Sequence, residues 1–170
     1  MKWNKNRVLI TGGSGFLGSH LARALANAGA EVHLVDIEPP PKEFEFENSS
    51  SISYLECDVS NIKAISVLPK DLDHVFHLAA LAYPEYCERN PELAFKHNVQ
   101  GTFNVLTFVK NNAVRRVVFT SSAQLYGRYP RYLPIDEDHP VDICGSVYNM
   151  TKKFGEDICK LFYDRDGISV

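Results

Sequence analysis

With 170 residues, of which 45% are hydrophobic and 23% charged, the chain can bury one hydrophobic core but is short for a cofactor domain plus a separate substrate domain. Its formal charge of -3, with lysines and arginines scattered, argues against a nucleic-acid-binding face. No apolar stretch approaches a membrane span, and the basic first residues run into a short strand pattern instead of a signal core, so a cytoplasmic protein without membrane contact is expected.

Short runs rich in Val, Ile, Leu and Phe alternate with longer stretches whose apolar residues recur every three or four positions, which predicts repeated βαβ units. The strand candidates are residues 7–11, 31–36, 52–58, 73–80 and 115–122. All but the third are nearly continuously apolar, as parallel strands covered on both faces must be. Leu17, Leu21, Leu25 and Ala28 share one face of a helix that Gly29 can end. Residues 60–68 give the weakest helical pattern. Asn90, Pro91 and Glu92 form a start signal for a long helix to about residue 112, and a last helix over 146–166 stops at Gly167. The stretch 38–51, with its three prolines and serine run, reads as a mobile excursion. The loop 127–145 follows the fifth strand and should overhang the ligand end of the sheet. Residues 168–170 read as the start of a sixth strand. One domain over 1–170 is expected, an α/β doubly wound parallel sheet of the Rossmann type.

Thr11-Gly12-Gly13-Ser14-Gly15-Phe16-Leu17-Gly18 falls where the first strand becomes the first helix. Gly12 permits a tight turn, Gly15 a close approach of backbone to pyrophosphate, and Gly18 tight helix–strand packing. The helix start offers free N–H groups and partial positive charge to phosphate. Asp36 closes the second strand, where a carboxylate accepts hydrogen bonds from a ribose and repels a 2′-phosphate; NAD is therefore expected over NADP. Asp58, beside Val59, is a candidate for the adenine amino group. The cysteines Cys57, Cys87, Cys144 and Cys159 lack metal-site or redox spacing and read as reduced.

Among the eight tyrosines only Tyr148 has a lysine four residues on, Lys152, on the same helical face. Ionising an ordinary tyrosine at pH 7 costs about 4 kcal/mol. An ammonium about 4 Å away, at an effective dielectric near 20, supplies an interaction of similar size. The pair can therefore serve as a general acid/base. The fifth strand ends Thr120-Ser121-Ser122, and a hydroxyl there can bind a substrate oxygen; Ser122 is the candidate, with Ser121 expected on the opposite face.

Together with His77-Leu78-Ala79-Ala80, Asn98-Val99-Gln100-Gly101-Thr102 and Tyr126-Gly127, these motifs make the chain resemble the extended short-chain dehydrogenase/reductases, specifically the NAD-dependent epimerase/dehydratase group. The resemblance implies that Tyr148 is the acid/base, that Lys152 favours its ionised form and holds the nicotinamide ribose, and that Ser122 binds the reacting hydroxyl. It also implies contacts to the cofactor from Gly12, Gly15, Phe16, Leu17, Gly18, Asp36, Asp58, Val59, Leu78, Ala79, Ala80, Asn98, Tyr148 and Lys152, with Asn98 helping to order the site from the long helix. His77, read without the resemblance, is a satisfied core histidine.

Relatives that eliminate water carry an Asp-Glu pair where this chain has Ala123 and Gln124, which disfavours dehydration and leaves 4-epimerisation of a UDP- or dTDP-sugar. A reductase of another substrate and a non-catalytic NAD sensor are the competing readings. Cys87 stands where many relatives have Ser, leaving local substrate contacts open. Arg128 and Arg131 read as solvated loop residues. The resemblance also leads one to expect a C-terminal substrate domain, absent here, and a homodimer formed through the two long helices.

Overall fold

A computed structural model of the chain describes residues 3–41 and 49–170. The apolar runs form β1 (Arg7–Thr11), β2 (Glu31–Asp36), β3 (Ile52–Glu56), β4 (His74–His77) and β5 (Arg116–Phe119), paired in parallel in the order β3-β2-β1-β4-β5. The order reverses between β1 and β4, so a crevice opens beyond their carboxyl ends.

Alternation along β1 shows why its run is continuous. Val8 and Ile10 pack on one side with Leu25 of α1 (Phe16–Asn27), while Leu9 joins Val75, Val105 and Phe162 on the other. Both faces are covered, and all three β1 side chains are fully buried. Each such burial contributes about 1.5–3 kcal/mol.

The strands end earlier than their apolar runs. Leu78–Ala80 and Thr120–Ser122 continue β4 and β5 in sequence but leave the ladder and turn over the crevice. The stretch 60–68 makes only a single 3-10 turn, Ala64–Val67, in which Ile65 alone is buried. Too few apolar side chains reach the core there to hold a longer helix.

The long helix expected over 90–112 is broken into pieces. An unexpected helix α2 (Pro84–Arg89) precedes it, followed by α3 (Pro91–Ala94), a π-helical turn (Phe95–Gln100) and α4 (Gly101–Asn111). Asn90 closes α2 as well as opening α3. Its side-chain Nδ2 donates to Tyr86 O at 3.0 Å, and its Oδ1 accepts no N-cap bond. Pro84 with Glu85 is itself a start signal for α2.

Helix α5 (Val147–Asp166) agrees closely with its predicted span. Ser146 Oγ accepts the Asn149 N–H at 3.4 Å, and Gly167 closes the helix at φ 69°. Gly155 is needed within it, because a Cβ there would run into the Phe119 ring. Residues 168–170 form no ladder, although Ser169 O accepts from Val117 N–H at 2.8 Å. Of the expected excursion over 38–51, residues 42–48 lie outside the described residues.

Candidate active site

A cavity of about 490 Å³ occupies the crevice, bounded by the glycine turn, Asp36, Asp58 and Val59, the segment 78–83, and Tyr148 with Lys152. The turn's shape depends on two absent side chains. Gly12 has φ +69°, and a Cβ on it would lie 2.7 Å from Ala79 N and 2.8 Å from Leu78 C. A Cβ on Gly18 would collide with the Gly12 carbonyl. Helix α1 thereby starts directly above the turn, with Phe16 and Leu17 exposed at its first positions.

Asp36 braces this turn. One carboxylate oxygen accepts from Ser14 N–H at 3.0 Å and the other from Ile37 N–H at 2.8 Å. At Asp58, burial opposes ionisation. The Ser60 hydroxyl and N–H, at 2.6 and 2.9 Å, together with His97 and Lys96, outweigh it and hold the carboxyl below its ordinary range.

On the opposite wall, α5 is fastened along one face to the segment that follows β5. Asn149 Nδ2 donates to Gln124 O at 3.1 Å, Lys152 Nζ to Thr120 O at 2.9 Å, and Ser121 Oγ to Glu156 Oε1 at 2.5 Å. Lys152 is only 5% exposed, and burial brings its ammonium down to about 8. Tyr148 is 7% exposed and packs with Cys87, Ala94, Leu81 and Val147.

Thirteen of the predicted site residues line this one cavity; Ser122 and Asn98 do not. The Ser122 hydroxyl accepts from Gln124 N–H at 3.2 Å and opens a short 3-10 turn, while its neighbour Ser121 reaches the cavity wall. Asn98 stands behind the wall. Its Oδ1 accepts from Leu81 N–H at 2.7 Å, and its Nδ2 donates to Leu81 O at 3.1 Å and Thr151 Oγ1 at 3.0 Å. Cys87 is fully buried behind Leu81, its thiol 3.4 Å from Leu81 O, and burial pushes that thiol up. Sequence reasoning missed Leu81, Ala82, Tyr83 and His97 as cavity residues. Tyr83 could have been found from the Pro84 start signal, since the residue before that proline sits at the helix mouth.

Fold and crevice together define a dinucleotide-binding domain of the doubly wound class. The sequence model of the NAD dependent epimerase/dehydratase family matches residues 8–170, and the chain belongs to that family. It is 32% identical over 167 residues to a UDP-glucose 4-epimerase of Drosophila melanogaster, covering 90% of this chain and 47% of that protein. Among solved structures, a UDP-N-acetylglucosamine 4-epimerase from Methanobrevibacter ruminantium M1, in complex with UDP-N-acetylmuramic acid, superposes with TM-score 0.88 at 30% identity, covering 97% of this chain and 53% of that one. A UDP-glucose 4-epimerase from Brucella ovis in complex with NAD gives TM-score 0.85 at 28% identity, covering 96% and 49%. The chain thus spans about half the length of these relatives.

NAD is the cofactor of this family, and the residues present fit it. Gly12 and Gly18 keep open a cradle that a Cβ would close, Asp36 stands at the end of β2, and a buried lysine lines the far end of the same cavity. Among the described residues no helix is long and apolar enough to cross a membrane, and no cluster of His, Cys, Asp and Glu could hold a metal ion.

Proposed function

We propose that this chain carries the NAD-binding and proton-transfer half of a nucleotide-sugar 4-epimerase. The observation that carries the reading is the placement of Tyr148 and Lys152, both nearly buried, in the wall of the cavity that begins at the glycine cradle. The relatives named above as 4-epimerases support the nucleotide-sugar class over other substrates.

Gly12, Gly15, Gly18 and the start of α1 would hold the pyrophosphate, Asp36 the adenosine ribose, and Lys152 the nicotinamide ribose. NAD, when bound, supplies the acceptor and then the donor of a hydride. Tyr148 takes the proton of the sugar 4-hydroxyl as the 4-keto sugar forms and returns it after the sugar has presented its other face. Lys152 favours the phenolate through its charge, and Ser122 binds the same sugar oxygen once it turns from Gln124 N–H. Ala123 and Gln124 offer no group to abstract a second proton, so the sugar keeps its hydroxyls.

The test is interconversion of UDP-glucose and UDP-galactose by the NAD-loaded protein. Tyr148→Phe should lower turnover roughly 10²–10⁴-fold in protein that still binds NAD. An NAD-loaded protein that leaves a panel of UDP- and dTDP-sugars untouched would sink the reading. We also propose a homodimer through the π-helical turn, α4 and α5, where Phe95, Val99, Phe103 and Ile158 line an apolar groove. A monomer by sedimentation at micromolar concentration argues against it.

A further inference from the structure

His77 ends β4 and is 2% exposed, and the proton-transfer scheme makes no use of it. Its ring is nevertheless held at both nitrogens. Nδ1 lies 2.7 Å from Thr11 Oγ1, and Nε2 lies 3.0 Å from Thr102 Oγ1. The directions of these bonds follow from their neighbours. Thr102 has one hydroxyl proton and places it on Asn98 O at 2.6 Å, so it can only accept from His77 Nε2–H. A neutral ring with its proton on Nε2 must accept at Nδ1 from the Thr11 hydroxyl, whose oxygen in turn accepts Ala79 N–H at 3.3 Å. Burial, reinforced by the Lys152 charge, lowers the imidazole to about 3, which keeps the ring neutral in the working range.

The sequence of bonds does not stop at Asn98. The Asn98 side chain grips both polar atoms of Leu81, a cavity residue, and donates to Thr151 Oγ1, which donates to Tyr148 O at 2.8 Å. Thr11, His77, Thr102, Asn98 and Thr151 are each no more than 3% exposed. A buried chain of hydrogen bonds, joined at Asn98 through that residue's own covalent frame, therefore runs from the residue before Gly12, through β4 and the π-helical turn that carries Asn98, to the turn of α5 that carries Tyr148. Such turns inside helices occur frequently at functional sites. An apolar core would fill the same volume without setting hydrogen-bond directions.

We propose that His77 is a positioning residue for proton transfer: its neutral Nε2–H ring fixes Asn98, and through Asn98 fixes Leu81 and the first turn of α5 relative to the cofactor cradle. The proposal rests on the reading of Tyr148 as the acid/base. Its first test uses the unaltered NAD-loaded protein. Imidazole ¹⁵N shifts should give the Nε2–H tautomer for His77, and an Nδ1–H tautomer would overturn the chain.

The second test compares His77→Leu/Thr102→Val, which removes the joint together with the hydroxyl it serves, with His77→Gln, whose amide can accept from Thr11 and donate to Thr102. In the double variant the Leu81 amide should exchange at least tenfold faster with NAD bound, and kcat should fall at least tenfold with KM within twofold. His77→Gln should restore most of both. Wild-type exchange at Leu81 and across 148–152 in the double variant means that His77 only fills space, and the proposal fails. Should no nucleotide sugar be turned over by the parent protein, the epimerase reading fails while the tautomer and exchange measurements still decide this one.

Discussion

The two walls of the cavity are built by different means. The cradle wall, from β1 to β2, is shaped by missing side chains: Gly12 and Gly18 let backbone lie where any Cβ would collide, and the Asp36 and Ser19 side chains brace the turn by bonding its backbone. The lysine wall, from the segment after β5 to α5, is shaped by side chains that are present: Asn149, Lys152 and Glu156 bond one after another to residues 120–124. A phosphate needs many N–H groups at short range, which backbone supplies best. A proton-transfer pair needs one charge in one place, and buried side chains held by hydrogen bonds supply that. The first wall should therefore respond to added atoms and the second to lost bonds.

The largest effect is expected where an atom is added to the cradle. Gly18→Ala should weaken NAD binding by roughly 100-fold or more in calorimetric titration, since the new methyl meets the Gly12 carbonyl and about 3 kcal/mol of displaced backbone is an ordinary cost of such overpacking. Near-normal binding would show that the turn can shift, and would dissolve the contrast between the walls.

The next effect concerns the buried ammonium. Burial lowers Lys152 to about 8 from 10.5 in the folded protein, so between these values the unfolded chain holds the extra proton and stability rises with pH. In NAD-free protein this amounts to up to about 3 kcal/mol of stability, gained above pH 8 and lost as pH falls through 8. Chemical denaturation at pH 8 and 10 should show the rise, and Lys152→Met should flatten it. The same sign holds for His77, which unfavourably resists protonation: its contribution is present above pH 6.5 and lost as pH falls toward 3.

Smaller effects follow on the lysine wall. Gly155→Ala places a methyl against the Phe119 ring and should lower stability by about 1–3 kcal/mol with a matching drop in Tm. Glu156→Gln keeps an acceptor for Ser121 and should cost only about 0.5–1.5 kcal/mol, whereas Glu156→Leu leaves the serine hydroxyl unpaired and should cost more. Equal losses for the two Glu156 variants would mean that the charge, and not the hydrogen bond, fastens the helix.

The cradle wall was the more legible in sequence for the same reason that it is sensitive to added atoms. Glycine spacing is a local signal, and β1, α1 and β2 follow one another without interruption, so the turn and Asp36 could be read from consecutive residues. On the other wall the helix bearing Tyr148 and Lys152 was legible from its own periodicity and its end at Gly167, but its attachments were not. Counting alternation puts Ser121 on the opposite face, yet the residues past Phe119 have left the strand, so alternation no longer applies. The resemblance implies that Asn98 touches the cofactor and helps order the site, but its partners, Leu81 and Thr151, are distant in sequence and unrelated by any period. The break at Asn90 was hidden because its signals serve two helices at once. Nor did the apolar pattern over 60–68 reveal that most of it faces solvent.

One consequence of the Gly12 contact concerns assembly. The space that forbids a side chain at Gly12 is occupied by Leu78 and Ala79, and Thr11 is bonded to Ala79 across 68 residues of chain. The first βαβ unit contains every glycine of the motif but not the surface against which the turn is moulded. The motif is therefore not a transplantable part. Moved into another strand–helix junction without its counterpart after β4, it would carry the right letters and the wrong shape, and cofactor affinity would emerge only when the fourth strand docks.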